Sequence, residues 1–321
     1  MGRRIVRRSV VFSVFLLGGF SLLTAFIGKE VRLYKISLGK KLFFDPILSS
    51  DRTISCASCH KPAFAFSDSS ATSLGVHNRK GKRNTPSSMN LSLQNFFFWD
   101  GRAKSLEEQA LAPIANPDEM NLPIDRALIR LRNNTSYRAA FRNIYHRDPA
   151  SADLADAIAA FERTLETSDS PFDDWKFDNR EDAVSESVKK GFIVFNGKGK
   201  CIECHFGADF TKNEFRNIGL FNGINLNDSG RAVISNSPED LGKFKIPSLR
   251  NIAVTAPYMH NGMLKSLREV IDFYNEPAKI VPDALNRDSL LVKPLGLDAQ
   301  EKLDLEAFLN SLTDKKFKQT N

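Results

Sequence analysis

A chain of 321 residues, 42% hydrophobic and 26% charged, is long enough for two ordinary domains with separate cores and is too apolar for a disordered protein. Of its formal charge of +7, the four arginines of residues 1–28 account for +4, and the +3 left for the rest argues against a nucleic-acid partner. All four cysteines fall within two Cys-X-X-Cys-His motifs, so none remains for a structural disulfide.

Arg3, Arg4, Arg7 and Arg8 precede an apolar run from Val10 to Ile27, about 18 residues and close to the ~18–20 that span a bilayer. Residues 1–28 are thus expected to be a signal peptide or an uncleaved N-terminal membrane anchor, either of which puts the remainder on the periplasmic side. The first helical pattern, Ile36–Phe44, carries Ile36, Leu38, Leu42 and Phe43 and stops before Pro46. The motif Cys56-Ala57-Ser58-Cys59-His60 follows, and then a loop over residues 67–92. Helices are predicted at Leu106–Ala112, Ile124–Arg132, Ser136–Tyr145 and Leu154–Leu165, the last with Leu154, Ile158, Phe161 and Leu165 at helical spacing.

Thr167–Asp182, rich in Asp, Ser and Pro, reads as the boundary between a domain of residues 29–175 and one of residues 176–321. The second half predicts a helix over Val184–Phe195, the motif Cys201-Ile202-Glu203-Cys204-His205, a loop over residues 219–248, and helices at Leu267–Tyr274 and Asp298–Leu312.

In each motif two thiols one helical turn apart can form thioethers to the vinyl groups of a haem, leaving His60 or His205 as axial iron ligand. A zinc knuckle would need further Cys or His ligands nearby, and only His77, His146 and His260 remain. A thioredoxin-like pair has no reason to be followed twice by His. Two covalently bound haem c groups are expected, and short helices among long loops suit a porphyrin that replaces much of the side-chain core. The expected fold is mainly α, with two cytochrome-c-like haem domains.

Several further stretches carry a resemblance. They are Gly39–Pro46, Arg83-Asn84-Thr85-Pro86-Ser87, Phe98-Trp99-Asp100-Gly101-Arg102, Ser105–Ala110 and Asn116-Pro117-Asp118-Glu119-Met120 in the first half. Lys245-Ile246-Pro247-Ser248-Leu249-Arg250-Asn251 and Thr255–Gly262 continue it in the second. From about residue 35 to 312 the chain resembles the bacterial di-haem cytochrome c peroxidases and the related methylamine-utilisation protein MauG. The resemblance implies a peroxidatic haem over His60 and an electron-transfer haem over His205. It also implies hydrogen peroxide as substrate and a small c-type cytochrome or cupredoxin as electron donor.

Carried over position by position, it makes Glu119 the distal carboxylate that moves a proton between peroxide oxygens, Gln109 a second pocket residue, and Trp99 a relay between the haems. It makes Asn84, Thr255 and Pro257 ligands of a calcium ion, the asparagine through its side chain and the others through their carbonyls. Fourteen residues after His260, where the peroxidases have a methionine on the second iron, this chain has Tyr274, as MauG-type proteins do. Leu264, Leu267, Val270, Ile271 and Tyr274 share one helical face, so the phenol is expected to point inward. A phenolate favours higher oxidation states and lowers the potential, which tilts the expectation toward the MauG-like branch.

Against that, the tryptophan that MauG carries two residues before its second motif is replaced here by Gly199, and Trp175 does not match it. MauG-type oxidation of a protein or organic substrate, and a non-catalytic di-haem electron carrier, remain alternatives. His77 is expected to be a solvated loop residue rather than a ligand, His146 a surface residue at a helix end, and His260 a structural anchor. A homodimer and an N-terminal tether are both open.

Overall fold

Helices carry the architecture of the computed structural model, which describes residues 30–317; the expected signal or anchor segment, residues 1–28, lies outside the described residues. No helix among the described residues is long and apolar enough to cross a membrane. The first helix, α1, covers residues 30–44 and ends where Asp45 accepts a hydrogen bond from the Ile47 amide and Pro46 begins a tight turn. In the first half it is joined by α2 (Leu106–Ala115), α3 (Ile124–Asn133), α4 (Thr135–Tyr145) and α5 (Ser151–Glu162). The second half holds α6 (Pro171–Lys176), α7 (Glu186–Asn196), α8 (Leu267–Asn275) and α9 (Ala299–Ser311). A two-residue antiparallel ribbon pairs β1 (Phe215–Arg216) with β2 (Phe244–Lys245). The mainly α expectation holds.

Local chemistry explains most of the helix ends. Ser105, Ser185 and Ser266 each accept a hydrogen bond at a helix N-terminus, and Asp298 and Glu301 close a reciprocal cap on α9. One end differs from expectation. Pro113 should have stopped α2 at Ala112, yet the helix runs to Ala115. The proline lacks the N–H that would bond the Gln109 carbonyl, but the last turn is closed from the following loop, where Met120 donates to the Pro113 carbonyl and Leu122 to that of Ile114.

Each half is built on the same device. A Cβ on Gly39 of α1 would lie 1.8 Å from the Ala157 carbonyl oxygen of α5, and one on Gly191 of α7 would lie 1.9 Å from that of Asp304 on α9. Only glycine allows these backbones to meet. One turn beyond each glycine stands a fully buried phenylalanine, Phe43 or Phe195, packed on Phe161 or Phe308 at ring-centroid distances of 5.2 and 4.9 Å. Burying each such ring contributes roughly 1.5–3 kcal/mol.

The first core gathers Leu42, Ile114, Leu131, Phe141 and Ile158, and the second gathers Phe195, Phe273, Phe308 and Leu312. Phe172 and Trp175, which the sequence boundary assigns to the first half, pack in the second core, because α6 turns its apolar face to Phe192 and Phe308.

The halves are pinned together by buried polar groups. Asn90 accepts hydrogen bonds from the Thr167 amide and hydroxyl through its Oδ1 and donates to the Thr167 carbonyl, Asn251 donates to the Thr167 hydroxyl, and the Asp314 amide donates to Asn251.

Candidate active site

A cavity of about 920 Å³ runs between the two halves and is lined by both motif histidines, Glu119, Gln109, Trp99 and Tyr274. His60 is the C-cap of the short helix Cys56–Cys59, and His205 follows the turn Cys201–Glu203, so each motif projects its histidine from a helical end. The His60 Nδ1 lies 2.9 Å from the Phe66 carbonyl and 2.9 Å from the Ser88 hydroxyl. The His205 Nδ1 lies 2.9 Å from the Phe210 carbonyl. Donation from Nδ1 to a carbonyl leaves Nε2 with its lone pair, the tautomer that a metal requires. Burial lowers the pKa of both rings, that of His205 to about 4, which keeps them neutral and ready to ligate. The two Cys-X-X-Cys-His sets thus fit haem attachment on geometry and on protonation state.

At the His60 end, the loop after α2 folds back on itself. The Asn116 side-chain oxygen accepts from the Asp118 amide, its carbonyl accepts from the Glu119 and Asn121 amides, and its Nδ2 donates to the Glu119 carboxylate at 2.9 Å. The Val76 amide donates to the Glu119 carbonyl, and Gly75 lets that segment approach, since a Cβ there would sit 2.2 Å from the Asp118 carbonyl oxygen. Burial raises the Glu119 carboxyl above its ordinary range, opposed by the Asn116 hydrogen bond. Gln109 reaches the same cavity from α2.

At the other end, Leu267, Val270, Ile271 and Tyr274 of α8 all line the cavity; Leu267 and Ile271 are buried and Val270 and Tyr274 half-buried, and Phe273 and Asn275, off the face read from the sequence, are buried as well. Burial raises the Tyr274 phenol, with the nearby Cys201 and Cys204 thiols acting in the same direction. Met259 also lines the cavity, and Met263 packs beside it. Gly199 lines it as well.

Trp99 stands between the ends. Its Nε1 donates to the Asn84 carbonyl at 2.8 Å, and its own carbonyl accepts from the Lys245 amide at 2.7 Å, so backbone from both halves fixes the indole. Asn84 is buried, with Nδ2 directed at the Ser70 and Ala71 carbonyls; Thr255 lines the cavity too, and Pro257 follows a cis peptide bond.

His77 is exposed at a positive φ, 3.7 Å from Asp51, and His146 is an exposed helix cap. His260 is buried, stacked on Phe244 at 3.7 Å, and its carbonyl accepts from the Asn84 amide.

Two groups escaped the reading of the sequence. Lys245, whose Nζ donates to Gln94, is driven by burial to a pKa of about 8. Glu162 lines the cavity at the end of α5, and its signal was present: it lies four residues beyond Ile158, beside the apolar stripe of that helix.

Two haem-attachment sites facing one cavity in a mainly helical chain define a di-haem c-type cytochrome. The family model of di-haem cytochrome c peroxidases matches residues 34–182. The chain is 40% identical to the methylamine utilization protein MauG of Methylorubrum extorquens over 87% of this chain and 78% of that one. It is 36% identical to the cytochrome-c peroxidase IdrP1 of Denitromonas iodatirespirans, covering 87% of this chain and 81% of that one. Among solved structures, a MauG-like protein associated with microbial copper homeostasis superposes with a TM-score of 0.81 at 33% identity, covering 88% of this chain and 90% of that one. The chain belongs to the family of di-haem cytochrome c peroxidases and MauG. It is an oxidoreductase of the peroxidase type with two c-type haems as its cofactors.

Proposed function

We propose that the chain reduces hydrogen peroxide to water on the periplasmic side of the membrane, with electrons from a small c-type cytochrome or cupredoxin. The observation that carries this reading is the inequality of the cavity's two ends: a carboxyl raised by burial faces the His60 end, whereas a phenol faces the His205 end. Cys56, Cys59 and His60 would hold one haem, and Cys201, Cys204, His205 and Tyr274 the other, with the division between domains falling before Pro171. Bound haem supplies an iron with an open position at the His60 end and the electron storage that two-electron chemistry needs.

Glu119 takes the proton from one peroxide oxygen and returns it to the other, which turns a poor leaving group into water. Gln109 orients peroxide by hydrogen bonding, and Trp99, held from both halves, relays electrons. Calcium would bind at Asn84, Thr255 and Pro257; directing Nδ2 at two carbonyls leaves the Asn84 amide oxygen, a hard donor, for the cation.

Steady-state peroxide consumption by the haem-loaded protein, with reduced cytochrome c or cupredoxin as donor, tests the assignment. Turnover is expected, together with a high-spin ferric resonance from the His60 haem. No turnover with any donor, and two low-spin signals in both resting and half-reduced protein, would make it an electron carrier instead. Tyr274→Met is expected to raise the reduction potential of the second haem in a redox titration, because a thioether favours Fe(II) where a phenolate disfavours it. An unchanged potential would remove Tyr274 from the iron.

A further inference from the structure

Peroxide reduction consumes protons that peroxide does not bring. The balance is H2O2 + 2 H⁺ + 2 e⁻ → 2 H2O, and a carboxylate that only shifts a proton between the two peroxide oxygens leaves both external protons unsupplied. We propose that Glu162 is a second proton donor to the His60 end of the cavity, reloaded from solvent past the Glu107–Arg163 pair. This rests on the peroxidase reading of the same cavity.

Glu162 is the last residue of α5 and is only 5% exposed, yet it lines the same cavity as His60, Gln109 and Glu119. Its Oε2 is buried without a hydrogen-bond partner. A buried carboxyl oxygen left unpaired is costly, and a group kept for packing alone would be cheaper as leucine. Burial pushes the carboxyl up to about 8, so it carries its proton at neutral pH and gives it up only as the pH rises through about 8.

The groups facing it give that proton an origin. Next to it, at the C-cap of α5, Arg163 donates to Glu107 of α2 through two hydrogen bonds of 2.7 and 3.0 Å. That pair is 42% and 35% exposed and lies close enough to the buried carboxyl for both its charges to act on it. Arg163 favours the ionised form of Glu162 and Glu107 opposes it; the nearby Cys56 thiol, which senses its charge in the apoprotein, becomes an uncharged thioether once haem is attached. Glu162 gives its proton to oxygen in the cavity, becomes a carboxylate, and takes a replacement proton from bulk solvent on the side of the exposed Glu107–Arg163 pair. The electrons come from the external donor.

The test uses the haem-loaded protein. Glu162→Gln keeps the shape and removes the transferable proton. Its kcat for peroxide is expected to fall by roughly 10²-fold near neutral pH, with KM for peroxide and the haem spectra unchanged. In the wild type kcat should decline as pH rises through about 8, where the donor empties, and the variant should lack that limb. Glu162→Asp should recover part of the rate.

A readout independent of turnover is the infrared difference spectrum across the same pH range. In the Glu119→Gln protein a protonated-carboxyl band should titrate near pH 8, and the further change Glu162→Gln should abolish it. Absence of that band, or a Glu162→Gln protein with wild-type kcat and pH profile, overturns the proposal and leaves the peroxidase reading standing. A wild-type protein inert toward peroxide overturns both.

Discussion

Replacing Glu119 by glutamine is expected to lower peroxide turnover by about 10²–10⁴-fold, the span typical of a lost general acid–base group. The side chain keeps its length but can no longer accept a proton from one oxygen and return it to the other. The main chain of the loop is held independently, by the Val76 amide on the Glu119 carbonyl and by the Asn116 carbonyl on the Glu119 amide. Haem content and ferric spectra should therefore match the wild type. The raised carboxyl matters for the same reason, since a group closer to neutrality is a better proton carrier in both directions. Steady-state kinetics beside optical spectra separate the outcomes: a variant that retains full kcat would deny Glu119 its role in proton transfer.

The second large effect is on stability. Gly191→Ala places a methyl group 1.9 Å from the Asp304 carbonyl oxygen and 2.8 Å from the Phe308 Cβ, with no flexible side-chain end to yield. Helices α7 and α9 must separate, which also loosens Phe308 from Phe195. Overpacking of this kind costs about 1–3 kcal/mol, and with domains of this size each kilocalorie lowers Tm by roughly 2–4 °C. The expected result is a lower melting temperature and incomplete loading of the second site, read by thermal scans and by haem content per chain. A variant as stable and as fully loaded as the wild type would mean that the helices do not cross at this residue.

Most of the helical frame was legible because its signals are local. The stripes of α5 and α8, the serine caps, and the turn residues before Pro46 are all written in consecutive residues. Both histidines of the Cys-X-X-Cys-His motifs were likewise legible, since spacing alone defines the motif. What escaped depends on contacts between distant segments. Gly39 and Gly191 read as ordinary glycines until Ala157 and Asp304 are set against them. Phe172 and Trp175 lie inside the polar stretch read as the boundary, and only the aromatic cluster with Phe192 and Phe308 assigns them to the second core. Glu162 follows an apolar stripe, but a charged residue at a helix end ordinarily faces water, and its burial follows from α2 lying across it.

The polar clasp of Asn90, Thr167, Asn251 and Asp314 has a bearing on how the molecule comes apart. Opening either half alone would break the Asn251–Thr167 bond, the one of these that joins the second half to the first, while the bonds of Asn90 to Thr167 and of Asp314 to Asn251 each lie within one half. A partly open state loses that contact while one half stays ordered, so it gains only part of the chain entropy that full unfolding releases, and its population is low. Two sections of chain that carry separate cores are thereby made to share one cooperative melting event, and the span between the two iron sites is kept as constant as the interior of a single domain.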